Sequence, residues 1–271
     1  MENNQHGKGC LPSKKDIRDY TIKKNIAKSC VYPTHFECEK RAPIKDQSMV
    51  GSCVAHSAAE ILEYHGEGTE KLSTNFLYGI HYKLYGTEGP GMYLREVCKI
   101  AKEYGDPQYS YCPGNTEVDE VYDIALQAFN NPEAMEDAKK HRISSYAKLV
   151  SNNDIKYALM EYGPVIGSIK WYDDNTIDRA TGILTKGQLF DGNHAIVVYG
   201  WNQDGWLCQN SWGITWGKQG YFILPFSYEL QEAYSFVPAK NEDDLKMLTQ
   251  NNAMDFIYKI INFFLNIFST H

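Results

Sequence analysis

A helix that begins at a cysteine is the feature that most constrains this chain of 271 residues. Gly51 and Ser52 let the chain turn, Ser52 is a candidate cap, and Gly66 ends the pattern. Between them, apolar residues recur at helical spacing: Val54, Ala55, Ala58, Ala59, Ile61 and Leu62. The pattern puts the thiol of Cys53 at a helix N-terminus, where the helix dipole favours a thiolate.

Two downstream segments offer partners for this thiol. His194 stands at the edge of the apolar run 195–199, which predicts a strand, and Asn210 is the last residue of another predicted strand, 206–210. An imidazolium stabilises a thiolate and can later protonate a leaving amine, while an asparagine carbonyl can fix the tautomer of the ring. A lone cysteine in an apolar helix is most often an inert thiol, but the order cysteine, histidine, asparagine favours a thiol hydrolase.

Two other histidines lie on the same helix and are alternative bases. His56, one turn after Cys53, is interpreted as a buried residue with a satisfied ring. His65 is interpreted as a solvated residue that the C-terminal end of the helix dipole favours. Neither is followed by an apolar strand, so His194 is the preferred base.

Together with Gln47, six residues before Cys53, these segments resemble the papain family of cysteine peptidases over roughly residues 11–237. In that family the histidine and asparagine follow the cysteine by about 130–150 residues. The resemblance implies an α+β fold of two lobes, a helical lobe and a β-barrel-like lobe with the active-site cleft between them. It also implies that Gln47 donates to the oxyanion beside the Cys53 N–H, and that Trp212 covers the hydrogen bond between His194 and Asn210.

The resemblance also implies a set of substrate-binding residues: Gly91, Ser168, Ala195 and Trp212. Gly91 belongs to a degenerate form of the glycine segment on which the family binds substrate backbone as an added strand, and Ser168 would face the S2 pocket. Two positions depart from the family. Val54 replaces a tryptophan that walls the acyl side of the cleft, and Val50 replaces a cysteine, which removes one disulfide.

The chain divides into three parts. Residues 1–45 form an N-terminal arm, residues 46–239 form the catalytic domain, and residues 240–271 form a polar linker followed by an apolar amphipathic helix. About fifty residues before Cys53 are too few for the long prosegment of lysosomal relatives. Packing on the barrel lobe is the preferred role for the arm, and inhibition is the alternative. The acidic segment 113–140 is predicted to be a helical surface insertion between the lobes.

The C-terminal helix carries a narrow polar stripe, Asp255, Lys259, Asn262, Asn266 and Ser269, on an otherwise apolar surface. Its apolar stretch is shorter than the ~20 residues that span a bilayer. Three alternatives stay open: docking on the protein's own surface, self-association, and binding at a membrane interface.

Charge and cysteine content limit the partners. The net charge of −7 and the pI near 5.6 argue against nucleic-acid binding. The beginning of the chain lacks a signal-peptide pattern, so a cytoplasmic location with reduced thiols is the default, with release by lysis as an alternative in which Cys10 could pair with Cys30 or Cys38. The spacing of Cys30, His35 and Cys38 fits no trusted zinc pattern, so neither a metal nor another cofactor is expected.

The function predicted from these residues is endopeptidase hydrolysis of polypeptides through an acyl-enzyme on Cys53. An acyltransferase or transpeptidase with the same triad is an alternative, because both reactions need the acyl-enzyme and differ only in the nucleophile that collects it. A non-catalytic papain-like binding protein is a second alternative, which the presence of all four catalytic positions disfavours.

Overall fold

The computed structural model of the chain describes residues 6–14, 16, 21, 30–66, 70–86, 90–114 and 118–239. The predicted linker and helix at 240–271 lie outside the described residues, so self-association, docking and membrane binding through them stay predictions. Within the described ranges, no helix has the length and apolar character needed to cross a membrane.

Five helices build one lobe: α1 Cys53–His65, α2 Thr74–Tyr85, α3 Leu94–Glu103, α4 Val118–Asn130 and α5 Pro132–Lys140. Helix α1 confirms the helix predicted to begin at Cys53 and to end before Gly66. Helix α2 has the expected end signals, because the Ser73 hydroxyl accepts from the Phe76 N–H and Gly86 ends it in the left-handed conformation.

Two expectations about α1 are wrong. Ser52 occupies the cap position without a side-chain cap bond, since its hydroxyl lies 3.2 Å from Nδ1 of His56 instead. His65 is only partly exposed, and burial lowers its pKa to about 4, so it is not a solvated cation. His56 is buried and hydrogen-bonded, as the sequence predicts.

The second lobe is built on a seven-stranded antiparallel sheet. Six strands follow the order β10 (Tyr221–Leu224), β9 (Trp206–Gln209), β8 (Phe190–Trp201), β5 (Val165–Tyr172), β11 (Leu230–Pro238) and β4 (Ile143–Lys148), and β2 (Phe36–Glu37) pairs with β8. The described strands do not close, so the β-barrel-like lobe is an open sheet. Helix α6 (Asn152–Tyr162) follows β4, and short strands pair as β1 (Cys10–Leu11) with β3 (Met92–Tyr93) and β6 (Thr176–Ile177) with β7 (Leu184–Thr185).

The two faces of this sheet belong to two different cores. Ile166, Ala195 and Val197 pack with helix α1 in the core of the helical lobe. Their neighbours Val165 and Ile196 point to the opposite face, in a second core with Trp201, Trp206 and residues of α6. Helix α1 is therefore enclosed by the helical lobe on one side and by strands β5 and β8 on the other.

The acidic segment is not the surface insertion that its charges suggest. Val121, Ala125 and Ala128 of α4 are buried in the same core as α2. Asp123, Glu133 and Glu136 of this segment are exposed. Asp137 is buried, and its carboxylate accepts from the Gln108 N–H at 2.8 Å. The apolar face of α4 thus decides its position, and the charges cover the outer face.

Replacing Gly79 with alanine should test this packing. A Cβ at Gly79 would lie 2.3 Å from the Cβ of Ala125 and 2.9 Å from the Val121 carbonyl oxygen. The substitution gains about 1 kcal/mol of helix propensity, but overpacking costs about 1–3 kcal/mol. We expect Gly79→Ala to lower the free energy of unfolding in urea. Gly66→Ala is the control, because its nearest neighbour would be 3.5 Å away. A more stable Gly79→Ala protein would contradict the close contact of α2 and α4.

Candidate active site

The thiol of Cys53 lies at the interface of the lobes, fully buried at the first residue of α1. It makes backbone hydrogen bonds with Ala195 of β8 and with Gly9 of the arm. Burial raises the pKa of Cys53 above its ordinary value, although these hydrogen bonds act in the opposite direction. In this arrangement the neutral thiol is favoured, which differs from the thiolate that the helix N-terminus alone predicts.

His194 and Asn210 are brought together by the pairing of β8 with β9, in which Val197 lies opposite Gln209. Nε2 of His194 donates to Oδ1 of Asn210 at 2.7 Å. The same oxygen accepts from the Ser211 N–H at 2.9 Å, so the amide oxygen is held in place. Nδ1 of His194 is buried and has no hydrogen bond to the described residues, which leaves it available to exchange a proton.

Trp212 and Trp171 contact the imidazole, and Trp216 packs against both of these tryptophans. The ring centroid of Trp212 lies 4.4 Å from that of His194, and Trp171 and Trp216 pack edge-on against Trp212 at 4.6 and 5.2 Å. Burial lowers the pKa of His194 to about 3, and the charges of Lys8 and His6 act in the same direction. The ring is therefore neutral in this arrangement, and its hydrogen bond with Asn210 is shielded from water.

Gln47 reaches the site through a bridge between Asp46 and Trp212 and a backbone bond from the Gln47 N–H to the Ser211 carbonyl. The Ser211 hydroxyl donates to Oε1 of Gln47 at 2.6 Å and thereby orients the amide. Nε2 of Gln47 donates to the carbonyl oxygens of Gly7 and Val50, both at 2.8 Å. Ser211 was not among the residues predicted to act in the site, and its only signal in the sequence is its position between Asn210 and Trp212.

The N-terminal arm lies in the cleft. His6 stacks on Trp212 with ring centroids 4.9 Å apart, and the Gly7 N–H donates to the Ser48 carbonyl at 3.0 Å. Farther along, the Gly9 carbonyl accepts from the Met92 N–H at 2.7 Å, so that β1 and β3 pair in parallel. The arm thus runs from Trp212 past Cys53 to Gly91. The arm was expected to pack on the barrel lobe; its residues Phe36–Glu37 do pair there with β8, whereas the contacts of residues 6–9 involve both lobes.

The four predicted substrate-binding residues border this path. Trp212 contacts His6, Ala195 contacts the Cys53 thiol, and the Ser168 hydroxyl hydrogen-bonds the thiol of Cys10. Gly91 has a φ of +127°, and a Cβ there would lie 2.7 Å from the Gly9 carbonyl oxygen. A side chain at Gly91 would therefore prevent the arm from approaching. Their role in binding substrate stays a prediction.

Gly7 and Gly9 of the arm also lie too close to neighbouring backbone to carry a side chain. A Cβ at Gly9 would lie 1.8 Å from the Gly51 carbonyl oxygen, and a Cβ at Gly7 would lie 2.3 Å from the Val50 carbonyl oxygen. Backbone lies against backbone at both positions, so neither contact can be relieved by rotating a side chain.

None of the seven cysteines forms a disulfide in the structure, and pairing of Cys10 with Cys30 or Cys38 after release by lysis stays a prediction. Among the described residues, no group of three or more histidine, cysteine, aspartate or glutamate side chains has the arrangement of a metal site.

Comparison with known proteins gives the family. The model of the papain family cysteine proteases matches residues 32–232. An uncharacterised peptidase C1-like protein of Acanthamoeba polyphaga mimivirus is 27% identical over 249 residues, which cover 81% of this chain and 77% of the relative. Cathepsin B-like cysteine proteinase 4 of Caenorhabditis elegans is 28% identical over 249 residues, which cover 78% of this chain and 72% of the relative.

Solved structures agree on the fold. Xylellain, a cysteine protease from Xylella fastidiosa, aligns with a TM-score of 0.70 at 19% identity over 88% of this chain and 98% of its own. The chain belongs to the papain family of cysteine proteases and has the α+β fold of that family, as the sequence predicts. Family membership makes it a cysteine peptidase, a hydrolase whose substrates are polypeptides.

Ser211 should be a positioning residue for Gln47. We expect Ser211→Ala to lower kcat/KM about tenfold with little change in KM, because Gln47 loses the bond that aims it, whereas Gln47→Ala should cost about 10²–10³. Ser211→Thr keeps the hydroxyl and should restore most of the activity. In the Gln47→Ala background, Ser211→Ala should lower kcat/KM little further. If the two losses multiply, Ser211 acts independently of Gln47.

Proposed function

We propose that the chain is an endopeptidase in which Cys53 is the nucleophile, His194 the general base and acid, Asn210 the residue that orients the imidazole, and Gln47 an oxyanion donor. The hydrogen bond from Nε2 of His194 to Oδ1 of Asn210 carries this proposal. It fixes the tautomer that leaves Nδ1 free, while the backbone of the next residue, Ala195, bonds the Cys53 thiol.

The reaction begins when Nδ1 of His194 takes the thiol proton and the sulfur of Cys53 attacks the peptide carbonyl carbon. The carbonyl oxygen becomes an oxyanion that accepts from Nε2 of Gln47 and from the Cys53 N–H. The imidazolium then gives its proton to the leaving nitrogen as the C–N bond breaks, and an acyl-enzyme and a free amine result. Water, deprotonated by His194, attacks the thioester, releases the carboxylic acid and restores the thiol.

Substitution of Cys53 and His194 should test whether these two residues carry the reaction. We expect Cys53→Ala and His194→Ala to lower kcat/KM for peptides by about 10³ or more. His35→Ala, at an exposed histidine outside the cleft, is the control and should leave it unchanged. Mass spectrometry of the products, with and without an added amine, distinguishes hydrolysis from acyl transfer. Unchanged activity of the His194 variant would contradict the proposed triad, and products that are mainly amides would favour an acyltransferase.

The N-terminal arm is the inhibitory segment of this enzyme. Both donor sites of the Gln47 amide are occupied by the Gly7 and Val50 carbonyls, so none is left for an oxyanion. The burial that accompanies the closed cleft favours a neutral thiol and a neutral imidazole, whereas catalysis needs the ion pair. The acyl part of a substrate is its N-terminal part and belongs on the Gly91 side, so the arm runs in the opposite direction to a substrate.

Gly9→Ala should release the arm without touching the triad. Its methyl group cannot fit 1.8 Å from the Gly51 carbonyl oxygen. We expect alkylation of Cys53 by iodoacetamide and peptidase activity both to be roughly tenfold or more higher in Gly9→Ala than in the unchanged chain. Destabilising the arm-bound state by about 1.4 kcal/mol raises the population of chains with an open cleft tenfold. Gly66→Ala, which meets no close neighbour, is the control. Equal labelling and activity in all three proteins would contradict inhibition by the arm.

A further inference from the structure

We propose that Asp173 and Asp191 form a subsite that selects a basic residue on the leaving-group side of the scissile bond of a substrate. The inference rests on the proposed function, and it concerns which peptides the enzyme prefers. In the structure the subsite holds an ammonium group of the chain itself, that of Lys8.

Lys8 is bound between the two carboxylates. Its Nζ forms an ion pair with Asp191 and lies 4.0 Å from a carboxylate oxygen of Asp173. The side chain of Lys8 is only 14% exposed, whereas those of Asp173 and Asp191 are 68% and 36% exposed. The carboxylates therefore lie at the rim of the cleft, and the lysine that reaches them is mostly covered.

The local fold fixes Asp191 in this position. Trp171 pairs with Gly192 and Tyr172 pairs with Phe190, so Asp191 is the extra residue of a bulge in β8. A bulge leaves one residue out of the ladder and redirects its side chain, and bulges are frequent beside active sites. The next residue, Gly192, has a φ of +136°, and a Cβ there would lie 3.4 Å from the Cβ of Lys8, so the stem of the lysine passes directly over this glycine.

Asp173 is held beside it by the loop at 187–189. The carboxylate of Asp174 accepts from the N–H groups of Gln188 and Leu189, at distances between 2.7 and 2.9 Å. The Asp173 N–H donates to the Leu189 carbonyl at 2.7 Å. The acidic pair is thus built into the backbone of the catalytic domain and does not depend on the arm for its shape.

The position of the pair identifies the part of the substrate that it contacts. Nζ of Lys8 lies 5.9 Å from the ring centroid of Trp212, on the side of Cys53 away from Gly91. Because the acyl part of a substrate belongs along Gly91, the Trp212 side receives the residues that leave with the amine. A lysine or arginine there can place its stem against Trp212 and its cation between the carboxylates.

A binding experiment tests the subsite without requiring hydrolysis. Full-length chain with Cys53→Ala, Lys8→Ala and the arm-releasing Gly9→Ala leaves both the cleft and the subsite empty and cannot cleave. Two fluorescein-labelled peptides of one sequence are compared, with lysine or norleucine after the scissile position. We expect the lysine peptide to bind about fivefold to tenfold more tightly, since two partly exposed carboxylates contribute modestly to binding. Adding 0.5 M salt should reduce the ratio, because the pair is partly exposed.

Two further variants in that background are matched in charge. Asp191→Asn removes the carboxylate that Lys8 touches, and we expect it to reduce the ratio to about twofold or less. Asp204→Asn removes one negative charge from an exposed turn elsewhere and should leave the ratio unchanged. Equal affinity for the two peptides, absence of binding by both, or the same effect of both substitutions would overturn the subsite. None of these results bears on the triad, which the alkylation and kinetic measurements test separately.

Discussion

Helix α1 packs against the helical lobe on one side and against strands β5 and β8 on the other, and the active site depends on this enclosure. Residues 53–63 of this helix are all buried, and Cys53 at its first position meets Ala195 in β8. His194 is the neighbour of Ala195, and the pairing of β8 with β9 adds Asn210. A shift of α1 would move the thiol away from Ala195, the residue next to His194, even if every functional side chain were kept.

The parts of this arrangement that sequence could predict are those with a local pattern. The apolar period of α1 and the apolar runs that carry His194 and Asn210 indicated both the elements and the candidate triad. Ser211 has no such pattern, because its bond to Gln47 joins segments that are far apart in the chain. The same holds for α4, whose charges are more prominent in the sequence than the small apolar face that packs on Gly79.

The path of the arm was the least predictable feature, for a physical reason. Its closest contacts are between backbone atoms, at Gly7, Gly9, Gly51 and Gly91. Such contacts require glycine but no other residue pattern, so the sequence alone does not show which segments meet. The arm also explains why the buried thiol and imidazole of this structure are biased toward their neutral forms. Its own Lys8 and His6 oppose protonation of His194, after burial itself. A single segment therefore covers the site, occupies the Gln47 donors and disfavours the ion pair.

We propose above all that Cys53 carries the acyl group during turnover. The most direct test is to mix the full chain carrying Gly9→Ala with a peptide p-nitrophenyl ester, quench in acid within the first turnovers, and map the modified protein by mass spectrometry. We expect one acyl group per chain on Cys53, absent from the Cys53→Ala protein and strongly reduced by His194→Ala. Acylation of another residue, or turnover with no acyl-enzyme that depends on Cys53, would contradict it.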